Sequence, residues 1–355
     1  MKSELPPDLN IQAIDLFCGA GGLSHGLIKA GIGVKVGVDL DSSCKYAFEK
    51  NNNAVFLAKS VQDIEPTELL GYLESPNFVL LAGCAPCQPF SLYRQGKSDE
   101  SDGRWNLLRS FQSLAVGMMP DFITMENVPR LAEQRVFSDF KVALEDAGYH
   151  IWAEVVDCTT FGVPQERQRL VLMASKHGAV ALQPPANKCR KTVRQTIGEL
   201  PKLRAGEKND EDPVHQSAGL TLLNLARINV SKPGGTWRDW PEALIADCHK
   251  KKSGKTYPSV YGRMEWDKPS PTITTQFFGF GNGRFGHPKQ DRGLSLREGA
   301  LLQSFPSNYE FVEPGKPIEF SKVGRLIGNA VPVKLAEHIG RSFAKHAAGL
   351  VQAVR

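Results

Sequence analysis

From residue 13 to residue 175, short apolar runs alternate with stretches of helical character, and this alternation limits the fold more than any other feature of the chain. AIDLF at 13–17, GVKVGVD at 33–39, FVLLAG at 78–83, DFITME at 121–126, HIWAEVVDC at 150–158 and RLVLMAS at 169–175 read as strands. Helical stretches are expected near 23–30, 42–51 and 136–147. Strands that alternate with helices predict a mostly parallel sheet covered on both faces, an α/β fold.

After about residue 182 the pattern changes. Pro, Gly, Lys and Asn become more frequent, and 187–268 carries no long amphipathic period. Order returns in LSLREGALLQSF at 294–305 and in a terminal amphipathic helix over 333–346. The 355 residues suit about two domains. Charge divides along the same line: residues 1–186 hold 16 basic and 22 acidic side chains, whereas 187–355 hold 27 and 16. An acidic front and a basic back suggest two tasks, the second involving a polyanion, with solvated faces as the plainer alternative. HKKKSGK at 249–255 is the densest basic run, and non-specific phosphate contact is its simplest reading. No apolar run is long enough for a membrane span, and MKSELPPDLN lacks the apolar core of a signal peptide. Seven cysteines at this length point to reduced thiols and a cytosolic protein.

Four segments carry chemistry. DLFCGAGGL follows the first strand with Gly19, Gly21 and Gly22, and Ser24 stands where the dinucleotide fingerprint needs a third glycine. The turn therefore fits a nucleotide without a pyrophosphate cradle. Asp39, 20 residues beyond Gly19, is placed to accept hydrogen bonds from ribose hydroxyls, and Asp63 to meet an adenine amino group. The alternative is a glycine turn closing onto a helix, with Asp39 as a cap. GCAPCQPFS places Cys87 between Pro86 and Pro89 at a strand end, as a nucleophile would be. Cys84 and Cys87 also form a CxxC, but no second CxxC supplies the remaining zinc ligands, and no metal is expected. Two buried thiols are the third reading. MENVP sets Glu126 and Asn127 just past a strand, on the same sheet edge, where a carboxyl can protonate a ring nitrogen or simply be solvated. QERQR alternates Gln165, Arg167 and Arg169, which points all three to one side and suits an anion or an ion-paired sheet edge.

Together with RGLSLREGALLQSFP and GNAVP, these segments in this order closely resemble the cytosine-5 DNA methyltransferases. The resemblance covers most of the chain outside about 187–268 and departs at Asp39, where the family commonly has Glu. It implies an S-adenosylmethionine-dependent Rossmann-like sheet with a smaller, mostly irregular/β target-recognition domain. Residues 1–186, completed by 322–355, would form the catalytic domain; 187–321 would form the small one, with target recognition at about 187–285. It implies S-adenosyl-L-methionine bound by Phe17, Gly19, Gly21, Leu23, Asp39, Asp63, Pro86, Asn329 and Val331. Cys87 would add to cytosine C6, Glu126 would meet N3 and the N4 amino group, Arg169 would meet O2, and Arg167 would brace Glu126 or a phosphate. Ser91, Gln165 and Thr272 would contact the DNA. The position of Cys84 varies in the family, and no role follows for it. The implied partner is double-stranded DNA, met by a cytoplasmic, nucleoid-associated monomer with no membrane attachment, alongside a restriction endonuclease that acts separately. Competing readings are a tRNA cytosine-5 methyltransferase, an NAD-dependent oxidoreductase and a non-catalytic DNA-binding regulator.

Overall fold

The computed structural model describes residues 9–86, 105–187 and 190–354. The chain divides into two compact units: the described parts of Met1–Phe161, Gln168–Lys188 and Val331–Arg355 form the first, and Gly162–Arg167 with Cys189–Ala330 the second.

The first unit is built on seven strands: β1 (Ile11–Leu16), β2 (Gly33–Asp39), β3 (Val55–Ala58), β4 (Phe78–Gly83), β5 (Phe122–Asn127), β6 (His150–Asp157) and β7 (Gln168–Ser175). Their order is β3-β2-β1-β4-β5-β7-β6, and β7 alone runs against its neighbours. All six residues of β1 and of β5 are buried, as a sheet covered on both faces requires. Alternate residues face opposite layers. Ile14, Leu16, Ile123 and Met125 join one apolar layer, supplied by α3 (Pro66–Leu70), α4 (Asn106–Met118) and α5 (Arg135–Asp146). Leu108, Phe111, Leu114, Ala115 and Met118 recur at helical spacing along α4, which is why that stretch buries one face. The helices between the first strands are α1 (Gly22–Lys29) and α2 (Lys45–Asn52).

The second unit holds short helices, α6 (Val193–Ile197), α7 (Leu222–Val230), α8 (Asp247–Lys250), α9 (Leu296–Leu302) and α10 (Phe320–Asn329), linked by irregular chain. Its β structure, among the described residues, is confined to isolated bridges. Buried arginines replace the missing ladders. Arg263 donates to the carbonyls of Ile228, Ser231, His287 and Gln290 and pairs with Asp291. Arg292 grips Glu298 with two bonds of 2.7 Å, and Arg297 holds Asp212 at 2.6 and 3.0 Å. Irregular backbone can be buried only if its carbonyls find donors, and these guanidiniums supply them. Three cations of the basic half are thus internal braces. His249, the first residue of the basic run, is likewise buried, stacked on Trp237 at 4.3 Å in a cluster with Trp240 and Phe280.

The chain then returns to the first unit as α11 (Val333–Val354). It meets α1 closely: a Cβ on Gly26 would lie 2.3 Å from Ala336 Cβ, so this crossing needs glycine. Phe343 stacks on Phe122 at 5.2 Å, and Ser175 Oγ lies 2.9 Å from His346 Nε2. Helix α10 was expected with the first unit, from residue 322 onward, yet it groups with the second, as does Gly162–Arg167. The cause is local: Gly324 and Gly328 have no side chain to hold α10 away from Phe278 and the Thr274 backbone.

His287 reports on this packing. Its Nδ1 accepts the N–H groups of Lys289 and Gln290 at 3.1 and 2.9 Å, which requires that nitrogen to be unprotonated. Burial pushes the imidazole down to about 4, against the pull of Glu298. The unfolded chain binds this proton near pH 6.5 and the folded chain only near 4, so stability is complete above that window and is lost as pH falls through it. The loss should amount to about 2–3 kcal/mol. In His287→Asn, whose amide oxygen keeps the acceptor, denaturant unfolding between about pH 6.5 and 4 should lose that part of the slope; an unaltered slope would refute the assignment.

Candidate active site

In this sheet order the chain passes from β1 outward to β2 and β3, then returns to β4 on the other side of β1. The switch point lies between β1 and β4, and the carboxyl ends of the strands beside it form the natural ligand edge. The described candidates of the first unit other than Val331 come from segments at this edge, Asp63 from the one after the outermost strand, β3.

The loop after β1 is strongly turned. Phe17 and Gly19 have φ of 59° and 52°, and Gly21, which caps α1, has 87°. Cys18 N–H donates to Val38 at 3.0 Å. Asp39, at the end of β2, accepts Gly19 N–H on Oδ2 and Asp41 N–H on Oδ1, both at 2.9 Å. Burial raises the Asp39 carboxyl above its ordinary range, while these two backbone donors work the other way. Beneath the loop, Ser24 donates to Asp15 Oδ2 at 2.6 Å, and burial pushes the Asp15 carboxyl up to about 7. Ser24, noted in the sequence for breaking the glycine fingerprint, therefore donates to one oxygen of a buried carboxyl; among the described residues the other oxygen, Oδ1, has no hydrogen-bond partner. Among the described residues, nothing stands within 4 Å of a Cβ built on Gly19. Leu23 is buried in the first turn of α1. Asp63 is exposed at the end of a short turn of helix, Val61–Asp63.

Glu126 and Asn127, expected just past β5, are its last two residues, and both are buried. Asn127 Nδ2 donates to Ala85 O at 3.0 Å and so fixes the main chain after β4. Pro86 is exposed there; Cys87 and Ser91 lie outside the described residues. Because β7 is antiparallel, its beginning lies where β5 ends. Glu126 pairs with Val171 across the ladder, which makes Arg169 its diagonal neighbour on the same face. Arg169 Nε stands 2.9 Å from Glu126 Oε1, with the carboxylate 3 % exposed. On the other side the β4 register, Gly83 opposite Met125, brings Cys84 beside Glu126, and the Cys84 thiol donates to Oε2 at 3.1 Å.

The expectation that Gln165, Arg167 and Arg169 share one side fails. The strand begins only at Gln168, and the two earlier residues belong to the second unit. Gln165 is wholly buried: Nε2 donates to Leu302 O and Gln303 Oε1, and Oε1 accepts Ile273 N–H. With both ends of its amide committed, it is an internal brace and not a DNA contact. Arg167 donates to Ile273 O at 3.1 Å and lies near Gln165 Oε1 and Ala330 O, and the guanidinium shown against Glu126 is that of Arg169. Thr272 Oγ1 donates to Glu166 O at 2.6 Å. Asn329 is exposed at the end of α10, and Val331 is buried in the first unit. Sequence reasoning missed two residues. Cys84 is legible only once the β4–β5 register is known. Leu40 is 74 % exposed directly after Asp39, an apolar side chain beside the ligand edge whose signal was its position.

A sheet with this switch point, loop and carboxylate defines the Rossmann-like class of S-adenosylmethionine-dependent methyltransferases. The sequence profile described as C-5 cytosine-specific DNA methylase matches residues 11–345. The chain is 50 % identical over 342 residues to the type II methylase M.HgiDII of Herpetosiphon aurantiacus, covering 95 % of this chain and 96 % of that protein. It is 31 % identical over 343 residues to the type II methyltransferase M1.HphI of Haemophilus parahaemolyticus, covering 95 % and 87 %. Among crystal structures, one described as a DNA modification methyltransferase encoded within an E. coli prophage superposes with a TM-score of 0.72 at 20 % identity, covering 95 % of this chain and 99 % of that one. DNMT2 of Spodoptera frugiperda gives 0.62 at 17 %, covering 94 % and 100 %. The chain belongs to the C-5 cytosine-specific DNA methylase family.

The buried Glu126–Arg169 pair is open to direct test. Removing one member leaves an uncompensated charge, a loss of about 3–5 kcal/mol. Arg169→Ala and Glu126→Gln, combined in a double-mutant cycle by denaturant unfolding at neutral pH, should show a coupling above about 1 kcal/mol. A coupling near zero would mean that the pair is incidental.

Proposed function

We propose that this chain transfers a methyl group from S-adenosyl-L-methionine to C5 of a cytosine flipped out of double-stranded DNA, as the modification enzyme of a type II restriction-modification system. The observation that carries the reading is the Glu126–Arg169 pair. A carboxyl and a guanidinium side by side at a ligand edge complement the N4–N3 and O2 groups of cytosine.

The cofactor site fits its ligand. Asp39 uses one backbone N–H on each oxygen, and a carboxylate offers about four lone-pair sites, which leaves acceptors for both ribose hydroxyls. Its shorter side chain, compared with Glu, is tied to the glycine turn through the Gly19 N–H. Leu40 and Phe17 supply apolar faces for adenine, and Gly19 and Gly21 let the methionine part approach the backbone. Asp63, Pro86, Asn329 and Val331 complete the set that the family motif assigns. When bound, S-adenosyl-L-methionine supplies a methyl group activated on a sulfonium.

Cytosine C5 is a poor nucleophile until the ring loses its aromaticity. The Cys87 thiolate adds to C6 and forms a C–S bond, and the ring's electron pair becomes available at C5. Glu126 promotes this addition by hydrogen-bonding or protonating N3 while accepting from the N4 amino group. Arg169 steadies the charge that develops toward O2. After methylation a base, reached through water, takes the C5 proton; the C–H electron pair re-forms the C5–C6 double bond as the C6–S bond breaks and the Cys87 thiolate leaves. Thr272, from the second unit, is assigned to the DNA backbone near the flipped base, and Ser91 likewise.

With labelled S-adenosyl-L-methionine, methyl incorporation into mixed duplex DNA is expected, with none into tRNA. Cys87→Ser should abolish it, and Glu126→Gln should lower it by about 100-fold or more. DNA bearing 5-fluorocytosine should trap a covalent complex with the wild type. Transfer to tRNA alone, or full activity in Cys87→Ser, would overturn the proposal. Asp39→Ala should weaken cofactor binding, read by calorimetry without DNA, by at least about tenfold.

A further inference from the structure

We propose that Cys84 positions the Glu126 carboxyl for its encounter with the target base, through a thiol hydrogen bond weak enough to be given up when the base arrives. The inference rests on the reading of Glu126 as the group that meets cytosine N3, and it adds a residue to which the sequence gave no role.

The two oxygens of Glu126 are held differently. Oε1 faces the Arg169 guanidinium at 2.9 Å, a charge-paired contact without the geometry of a hydrogen bond, and among the described residues it has no hydrogen-bond partner. Among the described residues, Oε2 accepts from a thiol, Cys84 Sγ at 3.1 Å. A thiol is a weak donor, whereas an ammonium, a guanidinium or a hydroxyl binds a carboxylate more strongly and stabilises its ionised form. Oε2 is therefore the oxygen that exchanges its partner at least cost. The thiol prevents the carboxyl from turning away before substrate binds, without committing it.

The main chain fixes the thiol's own position. Cys84 N–H donates to Leu16 O at 3.2 Å, which extends the β1–β4 ladder by one residue. One residue later, Ala85 O accepts from Asn127 Nδ2 at 3.0 Å. With Gly83 opposite Met125, Cys84 has to stand opposite Glu126. Placement of the donor thus comes from the sheet and not from the loop that follows. Two residues, Ala85 and Pro86, separate Cys84 from Cys87 in the sequence.

The test uses the full chain with Cys84→Ala, Cys84→Ser and Glu126→Gln, measuring kcat and KM for DNA between about pH 5.5 and 9, with thermal melting of each variant. Cys84→Ala should lower kcat about tenfold and leave KM for DNA within about threefold. The alkaline limb of the kcat profile should shift to lower pH in Cys84→Ser, where a stronger donor favours the ionised carboxylate, and to higher pH in Cys84→Ala. A merely structural role would reduce folded enzyme without ordering the limbs in this way. If Cys84→Ala does not fold, the shift of Cys84→Ser against wild type decides alone. Unchanged kcat and limbs in the Cys84 variants, with Glu126→Gln impaired, would overturn the inference and leave the reading of Glu126 intact. Full activity in Glu126→Gln would overturn both.

Discussion

The reversal of β7 is the constraint on which the site depends. In an all-parallel sheet the edge at the strands' carboxyl ends receives side chains only as strands finish. Inserting one antiparallel strand beside β5 lets a strand begin at that edge, and its second residue is Arg169. The diagonal geometry of the ladder then puts a guanidinium against a buried carboxylate without any loop having to be ordered to do so. The same carboxylate is met from its other side by the extension of β4. Glu126 is thus located by three adjacent strands. A group placed this way loses little orientational freedom when substrate binds, which favours catalysis by preorganisation.

The first unit was largely legible because its elements obey local rules. Strand runs, glycine turns and strand-end carboxylates follow from periodicity and turn chemistry, so AIDLF, GVKVGVD and FVLLAG fell within a residue or two of β1, β2 and β4. What could not be read was register and direction. Alternation along QERQR suggested one shared side, but alternation applies only where a strand exists, and the chain changes unit between Arg167 and Gln168. Cys84 shows the same limit. Its role depends on which residue of β5 lies opposite, a non-local fact that no window of sequence contains.

Charge was the least faithful guide. The basic half suggested cations turned toward phosphate, yet Arg263, Arg292 and Arg297 are buried and bonded to carbonyls or carboxylates. The reason is compositional. A unit with few regular ladders has many carbonyls to satisfy, and guanidinium, with five donors and little cost of desolvation relative to ammonium, is the side chain best suited to satisfy them. Burial of Glu298 opposes its charge, and the Arg292 bonds outweigh that opposition, which holds its carboxyl below the ordinary range. Formal charge in such a unit therefore counts scaffold as well as surface.

The close crossing of α1 and α11 has a consequence for how the chain acquires its shape. Gly26 is made early and its partner Ala336 more than three hundred residues later, after the whole second unit. During synthesis the β1–α1 segment must wait with an apolar helix face uncovered. Contacts so distant in sequence are slow to form, because a long loop has to close before they contribute. The second unit, by contrast, lies almost wholly within one continuous stretch, needing only Gly162–Arg167 from upstream. A helix made after the second unit therefore completes the unit that holds β1 and α1, and a chain cut short before Val333 would lack the helix that closes over α1.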